Sequence, residues 1–395
     1  MPTAKGTIAI LTGGGDVPGL NPAIRAITIR ALREGYRAVG IRRGWAGIVD
    51  YVPEEGYDNS ENVQLLTEAD VNRAGRTGGT FLHTSRTRPS HLPRARVPSH
   101  LSGYDKEVND VTKDVLKHLE HIGVDVLIPI GGDDTLSYGK RLHDEGVHVV
   151  AIPKTMDNDV YGTDYCIGFS TCVTRTIELT HSLRTSAGSH ERFLVIEVFG
   201  RYAGFTAVLP TMAGAADRCV IPEHPADVEQ LAELLTYDRN RNPSRYAVVL
   251  VSEGARLSHG DMSFEGQETD MFGHRKLGGV GDKVAAALKE YSPKYNGGRR
   301  IDVVNQRLGY LVRSGGPDAL DSIVPMAFGN LALDLILKKQ FGRLASIHRG
   351  FYDSVPITSV TSTKKVVDVP KYYSTARLRP IYEFDGAPLF IMTSD

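Results

Sequence analysis

Short apolar runs, each closed by glycine or by acidic and polar residues, alternate along the chain with longer stretches whose apolar positions fall three or four apart. Residues 7–11, 126–130 and 149–152 are continuous apolar or β-branched runs, the pattern of strands buried on both faces of a parallel sheet. After the first, Asn21-Pro22 has the cap-then-proline signature of a helix start, and the stripe Ile24, Ile27, Ala31 stops at Gly35. Val108, Val111, Val115, Leu119 and Ile122 give another helical stripe that Gly123 ends. A helix over 136–145 joins the two central strands into a βαβ unit, right-handed by rule. Further on, 193–198 and 246–251 are strand-like, and 174–184, 283–289 and 318–339 are helical.

Other stretches carry weaker patterns. Residues 45–69 are irregular and yield no element, and 80–82 is strand-like. Residues 83–104 hold three prolines and four arginines and are expected to form a basic loop, with Arg86 nearest the strand-like segment and best placed to reach a phosphate. The polar, glycine-rich residues 256–273 predict a surface loop. Gly278-Gly279-Val280-Gly281 lacks a preceding strand, so it predicts a helix entry rather than a nucleotide loop.

A chain of 395 residues exceeds one comfortable core and should divide into two domains. Its formal net charge of -1 supplies no global field for nucleic acid or an anionic membrane, so any anion site must be local. Cys166, Cys172 and Cys219 are widely spaced and lack a metal-ligand pattern, which predicts inert thiols in a reducing cytosol. Lys5 leads straight into the first strand, leaving no room for a signal peptide, and no apolar run is long enough to span a bilayer; a soluble, cytoplasmic protein is expected.

Chemistry concentrates where strands end. Gly13-Gly14-Gly15-Asp16 between a strand and a helix is a phosphate cradle in form, though a tight turn without ligand has the same pattern. Gly131-Gly132-Asp133-Asp134-Thr135 and Pro153-Lys154-Thr155-Met156-Asp157-Asn158-Asp159 place four carboxylates and one ammonium at two neighbouring strand ends. Helix capping would explain one aspartate, and an Asx turn would explain the Asp-Asn-Asp run alone. In an extended segment Asp157 and Asp159 point the same way. Carboxylates for a metal, cations for a leaving phosphate and a base for a hydroxyl are the parts of a phosphoryl-transfer site.

Taken in order, Thr12-Gly13-Gly14-Gly15-Asp16 with Pro18-Gly19 and Asn21, Gly78-Gly79-Thr80, Gly131-Gly132-Asp133, Thr155 with Asp157-Asn158-Asp159, His190-Glu191-Arg192 and Glu197-Val198-Phe199-Gly200-Arg201 resemble the signature segments of the phosphofructokinases, in register as far as Arg313. The resemblance implies an α/β fold of two Rossmann-like three-layer domains with parallel-rich sheets and the active site in the cleft between them. It divides the chain into 1–168 plus 312–360 for the donor and magnesium domain, and 169–311 plus 361–395 for the sugar-phosphate domain. It also implies roles. Asp157 would take the proton of the sugar 1-hydroxyl, Asp133 would hold Mg²⁺, Thr155 would touch the transferred phosphoryl, and Asp159 would orient the loop. Arg201 would bridge the transferred group and the sugar. Arg192 and Arg313 would bind the sugar 6-phosphate with Tyr310, Glu253 the sugar hydroxyls, and Phe199 the ring. Gly14 and Arg86 would approach the donor phosphates.

Asp134 and Lys154 stand where ATP-using bacterial members resemble glycine, a combination similar to the pyrophosphate-using branch. A carboxylate at the place of a nucleotide α-phosphate opposes it by size and charge, and the ammonium suits a terminal phosphate. The expectation is phosphoryl transfer from pyrophosphate to fructose 6-phosphate in a homodimer or homotetramer with Mg²⁺ as cofactor. The alternatives are an ATP-dependent phosphofructokinase and a non-catalytic phosphate-binding module on the same fold.

Overall fold

The computed structural model describes residues 4–258, 262–269 and 275–382. Strand β1 (Thr7–Thr12), helix α1 (Leu20–Arg33) and parallel strand β2 (Arg37–Ile41) form the first unit. The helix is not capped by Asn21. Gly19 occupies the cap with a left-handed φ of 107°, and Asn21 reaches from the first turn to Thr77 Oγ1 (2.9 Å) and accepts from the amide of Phe81 (2.9 Å). Residues 80–82 consequently lie in a turn, not a strand.

The irregular stretch 45–69 holds α2 (Trp45–Val49), β3 (Val63–Leu65) and the start of α3 (Glu68–Ala74). None of these is long enough to show a period. Tertiary packing decides them: Trp45 is buried edge-on to Tyr138, and β3 pairs antiparallel with β2. Helix α4 (Thr112–Ile122) starts after Val108, which belongs to a two-residue strand, and Gly123 ends it with a left-handed φ of 75°. Then come β4 (Val126–Gly131), α5 (Asp133–Asp144) and β5 (Val150–Pro153).

The long helix α6 (Phe169–Ser189) leads to β6 (Phe193–Val198), α7 (Phe205–Met212), β7 (Arg218–Val220), α8 (Val228–Arg241) and β8 (Ala247–Ser252). Part of the expected loop 256–273 is instead strand β9 (Phe264–Thr269), paired antiparallel with β10 (Arg275–Leu277); residues 259–261 and 270–273 lie outside the described residues. Helix α9 (Val280–Tyr295) follows a left-handed Gly279, and β11 (Val303–Arg307), α10 (Ala319–Leu337), β12 (Arg343–His348) and β13 (Phe351–Pro356) complete the layers.

The fold is α/β with two parallel-rich sheets. The larger has the order β13-β12-β5-β4-β1-β2-β3, with the five central strands parallel and both edge strands antiparallel. The smaller, β11-β6-β8-β7, is parallel throughout. Strands of the first sheet come from both sides of the second in sequence, so the chain leaves the larger sheet at α6 and returns to it through α10. Contrary to the bilayer expectation, α10 is long and apolar enough to cross a membrane by length and composition alone; half of it is buried, and it packs on α1. Gly329 permits that approach, since a Cβ there would lie 3.0 Å from the Ala26 methyl.

Candidate active site

The carboxyl-end loops of β1, β4, β5, β6 and β8 open into one cleft of about 500 Å³. Gly14 and Gly15 enter it from β1, Asp133 and Asp134 from β4, Lys154, Thr155, Asp157 and Asp159 from β5, Phe199 and Arg201 from β6, and Glu253 from β8, with Arg86 and Arg313 beside them. The glycine loop works by close approach rather than by donating its first two amides. Gly13 N–H bonds to Ile130 O and Gly14 N–H to Ser85 O, so the expected cradle is not open at these positions. A Cβ on Gly13 would meet Thr135 Oγ1 at 2.4 Å; Gly14 adopts a left-handed φ of 79°, where a Cβ would stand 3.3 Å from Lys154 Nζ.

Asp133 and Asp134 occupy the first turn of α5, whose cap is Gly132 with no side-chain bond, so capping explains neither. Lys154 is buried at the wall of the cleft, where its ammonium donates to Gly15 O at 2.6 Å. Burial pushes it down to about 8, with Arg313 and Arg86 adding repulsion and Asp16 opposing them. The segment after β5 turns instead of running extended. Buried Asn158 takes a left-handed φ of 56°, donates to Asp164 O (3.0 Å) and accepts from the amide of Cys166 (2.8 Å). This clamp, not strand alternation, turns both aspartates to the cleft.

Asp157 Oδ2 accepts from the backbone N–H of Arg201 at 3.2 Å, a direct link between the loops of the two sheets. Burial and then the charges of Asp159 and Glu253 raise its carboxyl well above the usual range, against the pull of Arg201. Burial also raises Asp159, with Lys364 the strongest opposing charge, and carries Glu253 up to about 7. Crowded acids of this kind, flanked by Lys154, Arg86, Arg201 and Arg313, suit a reaction that brings in anionic phosphate and moves one proton.

The phosphofructokinase sequence profile matches residues 7–336. The chain belongs to the phosphofructokinase family. It is 38% identical over 368 residues to the pyrophosphate--fructose 6-phosphate 1-phosphotransferase of Streptomyces coelicolor, covering 92% of this chain and 97% of that protein. It is also 32% identical over 366 residues to ATP-dependent 6-phosphofructokinase 3 of the same organism, with coverage of 92% and 97%. Its fold matches the phosphofructokinase of Saccharomyces cerevisiae with a TM-score of 0.70 at 24% identity, over 90% of this chain; it spans 45% of that longer chain.

Two residues expected in the phosphofructokinase site lie apart from the cleft lining. Arg192 precedes β6 and sits at the opposite end of that strand from Phe199 and Arg201. Tyr310 is 72% exposed and covers the Arg313 guanidinium, 4.3 Å from its ring centroid. Arg313 itself lines the cleft but leans on the glycine loop, 3.3 Å from Asp16. Among the described residues no cluster of three or more His, Cys, Asp or Glu forms a metal cage. Mg²⁺ needs none, since one or two carboxylates suffice when phosphates and water complete its shell. The donor set fits: Asp133 faces the cleft, and the nearby Thr135 Oγ1 is buried without a hydrogen-bond partner.

Sequence reasoning missed the part of the lining made by Tyr202, Thr361, Thr363 and Lys364. The polar run Thr361-Ser362-Thr363-Lys364-Lys365 between Val360 and Val366 was its only signal, and it lies beyond the last family segment at Arg313. Lys364 Nζ is 3.8 Å from Asp133 Oδ2 and 3.7 Å from the Tyr202 ring centroid. Lys365 is buried and donates to Thr163 O (2.9 Å) and Asp164 O (2.8 Å).

Proposed function

We propose that this phosphofructokinase-family chain moves a phosphoryl group from inorganic pyrophosphate to the 1-hydroxyl of fructose 6-phosphate, reversibly, giving phosphate and fructose 1,6-bisphosphate. The observation that carries the donor is the pairing of Asp134 and Lys154 in one cleft: a carboxylate in the first turn of α5 and, at the end of β5, a buried ammonium bonded to the glycine loop. The carboxylate opposes an extended nucleotide triphosphate by like charge, while the ammonium meets a compact dianionic end.

In this reading Asp157 accepts the proton of the 1-hydroxyl as its oxygen attacks the terminal phosphorus, Thr155 contacts the transferred phosphoryl, and Asp159 orients the loop. Lys154, Arg86 and Arg201 neutralise the charge that spreads over the phosphoryl oxygens. Asp133 would hold Mg²⁺, which supplies further positive charge to the donor oxygens when bound. Glu253 and Phe199 receive the sugar. We place the donor domain at 1–168 plus 312–360 and the sugar domain at 169–311 plus 361–395, a division supported by the two sheets. Arg192 and Tyr310 stand outside the cleft of their own chain, which favours a homodimer or homotetramer that brings such residues to a neighbouring site. Free, buried cysteines fit a reducing cytoplasm.

The test is an assay with fructose 6-phosphate and Mg²⁺ offered either donor. Turnover with pyrophosphate and none with ATP is expected. ATP-dependent relatives give the second reading its weight, and turnover with ATP alone would establish it in place of the first.

A further inference from the structure

Lys364 reaches the cleft from the 361–365 segment, beside Asp133 at the start of α5. Its ammonium is 3.8 Å from Asp133 Oδ2, an ion pair too long to be a hydrogen bond, and 3.7 Å from the Tyr202 ring centroid. It is also the strongest charge opposing the rise of Asp159. The side chain stays 45% exposed, so a ligand can reach it.

The next residue fixes this position. Lys365 is buried, its ammonium donates to Thr163 O and Asp164 O, and its backbone N–H bonds to Asp159 O at 3.2 Å. The segment carrying Lys364 is thus tied to the loop that carries Asp157 and Asp159. An exposed lysine with a solvated structural role would need no such buried anchor.

We propose that Lys364 is a catalytic cation of this site: it neutralises Asp133, and once that carboxylate would hold Mg²⁺ it is free to contact the donor phosphate together with Lys154. This inference rests on the phosphoryl-transfer reading above. As the sugar oxygen bonds to phosphorus, the bridging P–O bond breaks and its electron pair stays with the departing phosphate, while the hydroxyl proton passes to Asp157. Lys364 exchanges no proton and holds the negative charge gathering on the phosphate oxygens. The anion then meets two ammoniums, those of Lys154 and Lys364.

The full chain is compared with Lys364→Met and Lys364→Arg in two measurements. The first is Mn²⁺ binding by electron paramagnetic resonance without substrates. Loss of the competing ammonium makes Lys364→Met bind Mn²⁺ several-fold more tightly, and Lys364→Arg stays near wild type. The second is turnover with Mg²⁺ and fructose 6-phosphate, where Lys364→Met loses roughly a hundredfold in kcat with little change in sugar KM, and Lys364→Arg recovers most of it. Wild-type Mn²⁺ affinity or wild-type kcat in Lys364→Met overturns the proposal. Turnover with ATP alone defeats the pyrophosphate reading, and the same kcat loss is then read with ATP. No turnover with either donor overturns both.

Discussion

Lys154→Met removes a buried ammonium from the wall of the cleft, and the structure sets the size and sign of the effect. Lys154 is 4% exposed, and its ordinary value of 10.5 falls to about 8 through burial and the charges of Arg313 and Arg86. That drop corresponds to a penalty of about 3 kcal/mol on the charged form in the empty protein. Below pH 8 the lysine is protonated in both folded and unfolded chains, so the penalty is fully present. Between pH 8 and 10.5 the folded chain releases its proton first, and the penalty fades as pH rises. Methionine has no such titration. The stability of Lys154→Met relative to wild type should therefore be most favourable near pH 7 and smaller by about 2 kcal/mol near pH 9.5. The lost bond to Gly15 O, worth about 1.5–3 kcal/mol for a charged donor, lowers the difference as a whole, while its change with pH is set by the two proton affinities alone. Urea denaturation followed by circular dichroism gives the difference at both pH values. Calorimetry in two buffers adds a second reading: on the proposed pyrophosphate reading, the bound anion should recharge Lys154 near pH 9, so wild type should take up more protons on binding than the variant. A pH-independent stability difference together with equal proton uptake would refute the reasoning.

Three other perturbations separate the roles assigned to the cleft. Asp157→Asn should lower kcat by about three orders of magnitude or more while holding or raising the melting temperature. The carboxyl is raised in the folded chain, so its cost grows as pH rises above 3.8, and the stabilisation by asparagine should grow in the same direction; an unchanged kcat in this variant would refute Asp157 as the base. Asp134→Gly combined with Lys154→Gly should weaken pyrophosphate use and admit ATP, and unchanged pyrophosphate kcat/KM would refute the donor assignment. Away from the site, Arg218→Met should cost about 3–5 kcal/mol in urea denaturation, because the buried guanidinium grips Asp238 through Nε (2.6 Å) and Nη2 (2.7 Å) and its loss strands that carboxylate. An unchanged midpoint would show that the pair adds nothing.

Local pattern alone determined the buried parallel strands and the long amphipathic helices, because apolar runs of strand length and stripes at helical spacing are properties of the chain itself. The strand at 193–198 appears where the sequence places it. It also put Asp133, Lys154 and Asp157 at strand ends, since an acidic or basic residue after an apolar run has one place to go in such a sheet. Only the tertiary structure decided α2 and β3, which exist because Trp45 and the edge of β2 give them partners. It alone turned Asn21 from a cap into a loop clamp and closed the glycine-loop amides onto Ile130 and Ser85. Lys364 and Asp133 lie 231 positions apart, and their meeting depends on how the chain returns to the larger sheet after building the smaller one. Short elements and long-range pairs are fixed by contacts whose partners are distant in sequence, so no window along the chain contains them.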